Sequence, residues 1–141
     1  MKPINKIVIT FLTLTLSCHF AYAEEFNNAI EKGHESYVKN CSICHGPQAK
    51  GDGIFAELLN IPTADLTAIS RYSGGSFPYQ EIYLIIDGRE HIKVHGPRHM
   101  PIWGERFNEK HWALAGDKNA DTLIRGKIFE LLLYLESIQE L

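Results

Sequence analysis

The segment Cys41-Ser42-Ile43-Cys44-His45 constrains this chain more than any other feature of the sequence. Two cysteines stand two residues apart, and a histidine follows the second directly. Zinc sites, redox dithiols and haem-attachment sites all begin with a Cys-x-x-Cys pair. The rest of the sequence has to decide between these alternatives.

The first 23 residues are typical of a secretory signal peptide. Lys2 and Lys6 form a short basic start, residues 7–16 are an apolar and threonine run, and a small-residue cleavage site ends at Ala23. The apolar run is shorter than the ~20 residues that cross a bilayer. We therefore expect cleavage after Ala23, export to the periplasm and no stable membrane insertion. Cys18 offers a lipid-anchor alternative, which the residues before it do not favour.

Residues 24–141 remain after this cleavage and are enough for one domain with a modest core. The full sequence has 14 basic and 17 acidic side chains, and two of the basic ones lie in the signal peptide, so the domain has a formal charge of −5. It has no basic run or stripe, which argues against a nucleic-acid partner. It keeps two cysteines, Cys41 and Cys44, and a single methionine, Met100.

A helix is predicted at each end of this domain, over residues 25–40 and over residues 122–139, the second with Asp121 as its N-cap. The residues at helical spacing are Phe26, Ile30, Gly33, Tyr37 and Cys41 in the first, and Ile124, Ile128, Leu131, Leu135 and Ile138 in the second. A mid-helix glycine costs about 1 kcal/mol against alanine. We therefore expect Gly33 to mark close contact between the two helices.

The stretch between these helices is short and rich in glycine and proline. The predicted elements are a loop over 46–53, one or two helical turns over 54–60, a loop over 73–76 and a helix over 79–86, begun by Pro78 and ended by Asp87-Gly88. Gly96, Pro97 and Pro101 exclude regular structure around Met100. With no alternating strand pattern, the domain is predicted to be all-α. Short helices and long loops bury little area, so a large apolar cofactor would complete the core.

Two alternatives for the Cys-x-x-Cys pair fit this context poorly. A zinc site would use further thiols or imidazoles at ligand spacing, and the domain has no third cysteine, although His91, His95 and His99 could contribute. A redox dithiol would follow a strand in a βαβ unit, whereas this pair follows a predicted helix. Haem attachment uses all three residues, since both thiols add to haem vinyl groups and the adjacent imidazole reaches the iron.

The attachment motif resembles that of a small class I cytochrome c. The resemblance covers about residues 25–140 and includes Lys50-Gly51-Asp52-Gly53, Pro62 with Asp65-Leu66-Thr67, Met100-Pro101 and Leu133-Tyr134-Leu135. It implies terminal helices that pack together and short helices and loops that wrap one covalently bound haem c. It also implies a one-electron carrier rather than an enzyme, whose partners are redox proteins such as a membrane oxidase, reductase or dehydrogenase.

The resemblance assigns roles to individual residues. Cys41 and Cys44 would form the thioether bonds, and His45 would be the proximal ligand of the iron. Met100 would be the distal ligand. Pro62 matches the family proline whose carbonyl accepts the imidazole N–H and so orients the proximal ligand.

The residues around Met100 suit such a ligand but also offer alternatives. Pro101 restricts the backbone of Met100 to extended angles, which stiffens the ligand loop. His99 could replace the methionine and give two imidazole ligands and a lower reduction potential. Arg89, Arg98 and Trp103 could bind the haem propionates, or the arginines could be solvated while the tryptophan packs on the haem. The segment 104–120 is predicted to be a connector that covers the distal side or forms a docking patch.

Two further functions stay open at this point. A haem subunit docked permanently on an oxidase or dehydrogenase would use the same residues. A haem enzyme or gas sensor would have a displaceable distal ligand instead of a closed iron site.

Overall fold

A computed structural model describes residues 24–88, 100–109 and 120–140. The helices in these ranges are α1 (24–40), α2 (Ser42–His45), α3 (Ile69–Tyr72), α4 (Tyr79–Asp87), α5 (Trp103–Glu109) and α6 (Ala120–Ser137), with 3₁₀ turns at Ala56–Leu58 and Leu66–Ala68. The described ranges contain no β-strand, which confirms the all-α prediction. None of the helices described is long and apolar enough to cross a membrane.

Helices α1 and α6 meet at Gly33. A Cβ atom at this position would lie only 2.0 Å from the carbonyl oxygen of Glu130 and 2.9 Å from the Cβ of Tyr134. The ring of Tyr134 then packs beside α1, with its centroid 5.0 Å from that of His34 and 5.3 Å from that of Tyr37. The prediction that Gly33 lets the terminal helices touch is confirmed.

One hydrophobic core joins the described helices. Helices α4 and α5 pack against α6 and against each other. The buried residues of the core are Tyr37, Cys41, Ala49, Ile86, Trp103, Phe107, Ile124, Ile128, Leu131, Leu132 and Leu135. Since this list includes Cys41, the first cysteine of the motif is part of the core.

The ends of the predicted helices need small corrections. Helix α6 begins at Ala120, so Asp121 lies in its first turn rather than at its N-cap. There the Asp121 carboxylate accepts a hydrogen bond from Arg125 at 2.7 Å, an i,i+4 pair. Helix α4 follows Pro78 and ends at Gly88, whose φ of 65° is the left-handed conformation that glycine adopts without strain, as the Asp87-Gly88 pair predicts.

One segment matches its prediction and another differs. The residues 54–60 contain a single helical turn, the 3₁₀ turn Ala56–Leu58, within the one or two turns predicted. The predicted connector 104–120 is helical at its start, because α5 extends from Trp103 to Glu109. The turn and short helix over Leu66–Tyr72 were not predicted at all.

Residues 139 and 140 fasten this unpredicted stretch to the end of α6. The Gln139 side chain accepts a hydrogen bond from the Ser70 backbone N–H and donates one to the Leu66 carbonyl, both at 2.8 Å. The Glu140 backbone N–H donates to the Thr67 carbonyl, also at 2.8 Å. The conformation of 66–70 therefore depends on residues about 70 positions later in the chain.

Candidate functional site

The two cysteines and the histidine occupy one helical turn. Cys41 is the N-cap of α2, and its carbonyl oxygen accepts hydrogen bonds from the backbone N–H groups of Cys44 at 3.1 Å and His45 at 2.9 Å. Residues three apart on a helical turn lie on the same side. The turn therefore presents both sulfurs on one side, and both are free thiols.

The environment of Cys41 differs from that of a reactive dithiol. Its side chain is 6 % exposed and belongs to the core. Burial and, less strongly, the neighbouring Cys44 together raise the pKa of Cys41 to about 12. Catalytic Cys-x-x-Cys pairs instead have a thiol whose pKa is lowered. Cys41 lacks that property in this fold.

The hydrogen bond of His45 fixes which of its ring nitrogens carries the proton. Nδ1 lies 3.0 Å from the carbonyl oxygen of Ala64. A carbonyl oxygen can only accept, so Nδ1–H is the donor and the neutral ring has its lone pair on Nε2. Burial lowers the pKa of His45, which favours this neutral form. Nε2 is thus the nitrogen that can bind a metal.

The acceptor is Ala64, which corrects the assignment of this role to Pro62. The Pro62 side chain is exposed, and its carbonyl is not the partner of the imidazole. The position of this stretch is set by backbone contacts: the Leu66 N–H donates to the Ala49 carbonyl at 2.8 Å. A Cβ at Gly51 would be 2.4 Å from the Thr63 carbonyl oxygen. This pairing brings residue 64, not residue 62, opposite the histidine.

Tyr37 forms a hydrogen bond with the backbone directly after His45. Its side chain is fully buried, and its hydroxyl donates a hydrogen bond of 2.5 Å to the carbonyl of Gly46, the residue after the histidine. The sequence placed Tyr37 only among the regularly spaced residues of the first predicted helix. The hydroxyl shows a second role, since it ties α1 to the backbone that follows His45.

Replacing Tyr37 with phenylalanine should lower the free energy of unfolding by about 1 kcal/mol, because one buried hydrogen bond is lost. The cost stays small because the Gly46 carbonyl also accepts from the Ala49 N–H at 3.2 Å.

Burial raises the pKa of Tyr37 above its ordinary value of 10.0. The unfolded chain therefore loses this proton first, and native stability should fall above pH 10. Denaturant unfolding between pH 7 and pH 11 should show that the free energy of unfolding falls less steeply for Tyr37→Phe than for the unmodified protein. If the two proteins lose stability in parallel over this range, the assignment to Tyr37 is wrong.

Met100 and Trp103 lie against the core that contains Cys41. Met100 is half-buried and packs against this cluster, and Trp103 is one of its buried members. The Trp103 Nε1–H group is buried and has no hydrogen-bond partner within the described residues. Such an unpaired donor is costly, and it calls for an acceptor at this place.

Arg106 is a nearby cation that the sequence analysis did not single out. Its guanidinium lies 5.4 Å from the centre of the Trp103 ring, in the range of a cation–π contact. The three-residue spacing on α5 is the sequence signal that predicts this proximity, once the segment is known to be helical. The cation and the unpaired N–H group are therefore close together.

Several predicted site residues lie outside the described residues: Arg89, His91, His95, Arg98 and His99. The signal peptide and Cys18 lie outside them as well. Within 24–88, 100–109 and 120–140, no group of three or more His, Cys, Asp or Glu side chains converges on a point that could hold a metal ion.

Comparison with protein-family models, with curated proteins and with solved structures found no match to this chain.

Proposed function

We propose that this protein is a periplasmic one-electron carrier with one covalently attached haem c. Cys41 and Cys44 would hold the haem through thioether bonds, and His45 and Met100 would bind its iron. The observation that carries this proposal is the hydrogen bond from His45 Nδ1 to the Ala64 carbonyl. Histidines that bind metals almost always donate their other ring N–H to such an acceptor.

The surrounding groups fit a haem in three respects. The free thiols lie one turn apart beside the imidazole. Met100, the single methionine after the signal peptide, packs against the same core as Cys41. The unpaired N–H group of Trp103 and the adjacent Arg106 guanidinium suit a carboxylate such as a haem propionate. Trp103 was also a candidate from the sequence, and Arg89 and Arg98, the other two candidates, lie outside the described residues.

When bound, the haem would supply an iron that gains and loses one electron. The residues of the chain would control that exchange. The Met100 thioether favours the reduced metal, and the Ala64 carbonyl keeps the His45 ring in a fixed tautomer and orientation. The apolar core disfavours the additional positive charge of the oxidised state, which raises the reduction potential further. No general acid or nucleophile is required, so the protein is proposed to be a carrier and not an enzyme.

Replacing Met100 with alanine should remove the weak long-wavelength absorption of an Fe(III)–methionine bond and lower the reduction potential. The shift should be on the order of 0.1 V, within the ~0.8 V range that axial ligands span. Visible spectra of the oxidised protein and a potentiometric titration would measure both. If the band survives the substitution, another residue is the ligand.

A Met100→His variant provides the matched control. It should lose the same band, but the new imidazole should still bind the iron. Carbon monoxide should therefore leave the spectrum of the reduced Met100→His variant unchanged, whereas it should change that of Met100→Ala at once. A rapid response of the unmodified protein would favour the gas-sensor or enzyme alternative. Purification as part of a larger assembly would favour the docked-subunit alternative.

A further inference from the structure

Apolar side chains are exposed on one side of the attachment motif. Residues 54–61 contain five of them, although this stretch is only eight residues long. Together with one residue of α2 they form what we call the apolar face: Ile43, Ile54, Phe55, Leu58, Leu59 and Ile61. Ile54 and Leu58 are the most exposed, at 78 % and 75 %. Runs of exposed apolar residues usually mark a site of interaction.

Backbone hydrogen bonds hold this face together and attach it to α2. The Phe55 N–H donates to the Ile43 carbonyl at 3.0 Å, and the Gly53 N–H donates to the Cys44 carbonyl at 3.1 Å. Within the 3₁₀ turn, the Leu58 N–H donates to the Phe55 carbonyl at 3.1 Å. The apolar face therefore lies directly beside the turn that carries Cys44 and His45.

The charge of the apolar face indicates the chemistry of its partner. Glu57 is the only ionisable residue among positions 54–61, and the residues next to Ile43 are Ser42 and Cys44. A strongly charged partner surface could form an ion pair only with Glu57 in this stretch and would lose its own hydration. An uncharged apolar surface is the complementary one. Transient electron-transfer contacts bury less area than stable complexes, so a face of this size is sufficient.

We propose that the apolar face is where this protein docks a second redox protein through an uncharged, apolar surface. This inference rests on the proposed carrier function and names the surface it uses. In the docked pair one electron passes from this protein to its partner, so this protein becomes oxidised and the partner becomes reduced. No bond forms or breaks and no proton is required. Contact beside α2 keeps the distance between the two redox centres short.

A second copy of this chain meets the description of the partner, because its own apolar face is complementary to the same face. Electron self-exchange can therefore test the proposal, by NMR line broadening in mixtures of the oxidised and reduced protein. An Ile54→Ser, Leu58→Ser double variant should reduce the self-exchange rate about tenfold, because it removes two apolar contacts from the encounter. The charge of the protein is unchanged, so an electrostatic cause is excluded.

Tyr72→Ser is the matched control. Tyr72 is the last residue of α3, lies outside the apolar face and is 82 % exposed. This variant also replaces a large exposed side chain with serine, and its self-exchange rate should equal that of the unmodified protein. Equal rates in the double variant and the control would overturn the proposal. Reduction by a small molecule such as ascorbate should be the same in all three proteins.

A readout independent of electron exchange uses backbone amide chemical shifts as the protein concentration is raised. The shifts should change at positions 43 and 54–61, and these changes should be absent in the double variant. Chemical-shift changes on another face would overturn the proposal. Changes at the apolar face that appear with phosphatidylcholine vesicles but not with higher protein concentration would also overturn it, because they would assign this face to lipid binding. Because amide shifts need no haem, a colourless protein would refute the carrier function while its shifts still report whether this face makes contacts.

Discussion

Replacing Gly33 with alanine should lower the free energy of unfolding by about 2 kcal/mol or more, the cost of overpacking a contact that cannot relax. The added methyl group would lie 2.0 Å from the Glu130 carbonyl oxygen, and this neighbour is backbone rather than a flexible side chain. Helices α1 and α6 would have to separate. The turn from Cys41 to His45 would move with α1, because it continues directly from that helix. Denaturant unfolding of the purified protein measures the effect.

Gly126→Ala is the control for this substitution. Gly126 also lies inside a helix, α6, but within the described part of the chain no atom outside the local backbone of that helix lies within 4 Å of the position that its Cβ would take. Alanine is about 1 kcal/mol more favourable than glycine in a helix interior, so this variant should be more stable than the unmodified protein. The two glycines should therefore respond to the same change with opposite signs. A stabilised Gly33→Ala variant would show that the terminal helices do not touch at this residue.

A Cys41→Ala, Cys44→Ala double variant should lose all covalently bound haem, because both thioether bonds are removed. The unmodified exported protein should keep its pigment in acidified organic solvent, whereas the double variant should be colourless or should release it. Each single variant should keep one thioether bond. The absorption spectrum in alkaline pyridine and the intact mass of the polypeptide report the number of bonds.

The third cysteine of the sequence supplies a control. Cys18 lies in the predicted signal peptide, so Cys18→Ala should leave the pigment attached and the mass of the exported protein unchanged. Pigment that resists extraction from the double variant would rule out Cys41 and Cys44 as the attachment points. An exported protein without pigment in the unmodified form would rule out the haem.

The parts of the fold that could be predicted are those with a strong local signal. Helix α1 and helix α6 are long and keep a helical period over several turns, so their existence and facing sides could be read from the sequence. Gly33 was informative because a glycine in mid-helix is unfavourable unless something requires it. The glycine after α4 likewise marked the end of that helix.

The parts that could not be predicted depend on contacts between distant residues. Helix α5 has only seven residues, too few to establish a period. The segment 66–70 is held by Gln139 and Glu140, which no local pattern reveals. The same limit explains the shift from Pro62 to Ala64. The proline is a visible signal in the sequence, whereas the pairing of residue 66 with residue 49 decides which carbonyl reaches the imidazole.

The attachment of residues 139 and 140 to the stretch 66–70 has a consequence for biosynthesis. A polypeptide is made from its amino end, so residues 41–45 leave the ribosome almost 100 residues before Gln139. Until then α1 has no α6 to pack against, and the backbone just beyond Ala64 lacks its hydrogen bonds to Gln139. The stretch that follows the Ala64 carbonyl is therefore fastened to the end of α6 only when almost the whole chain has been made.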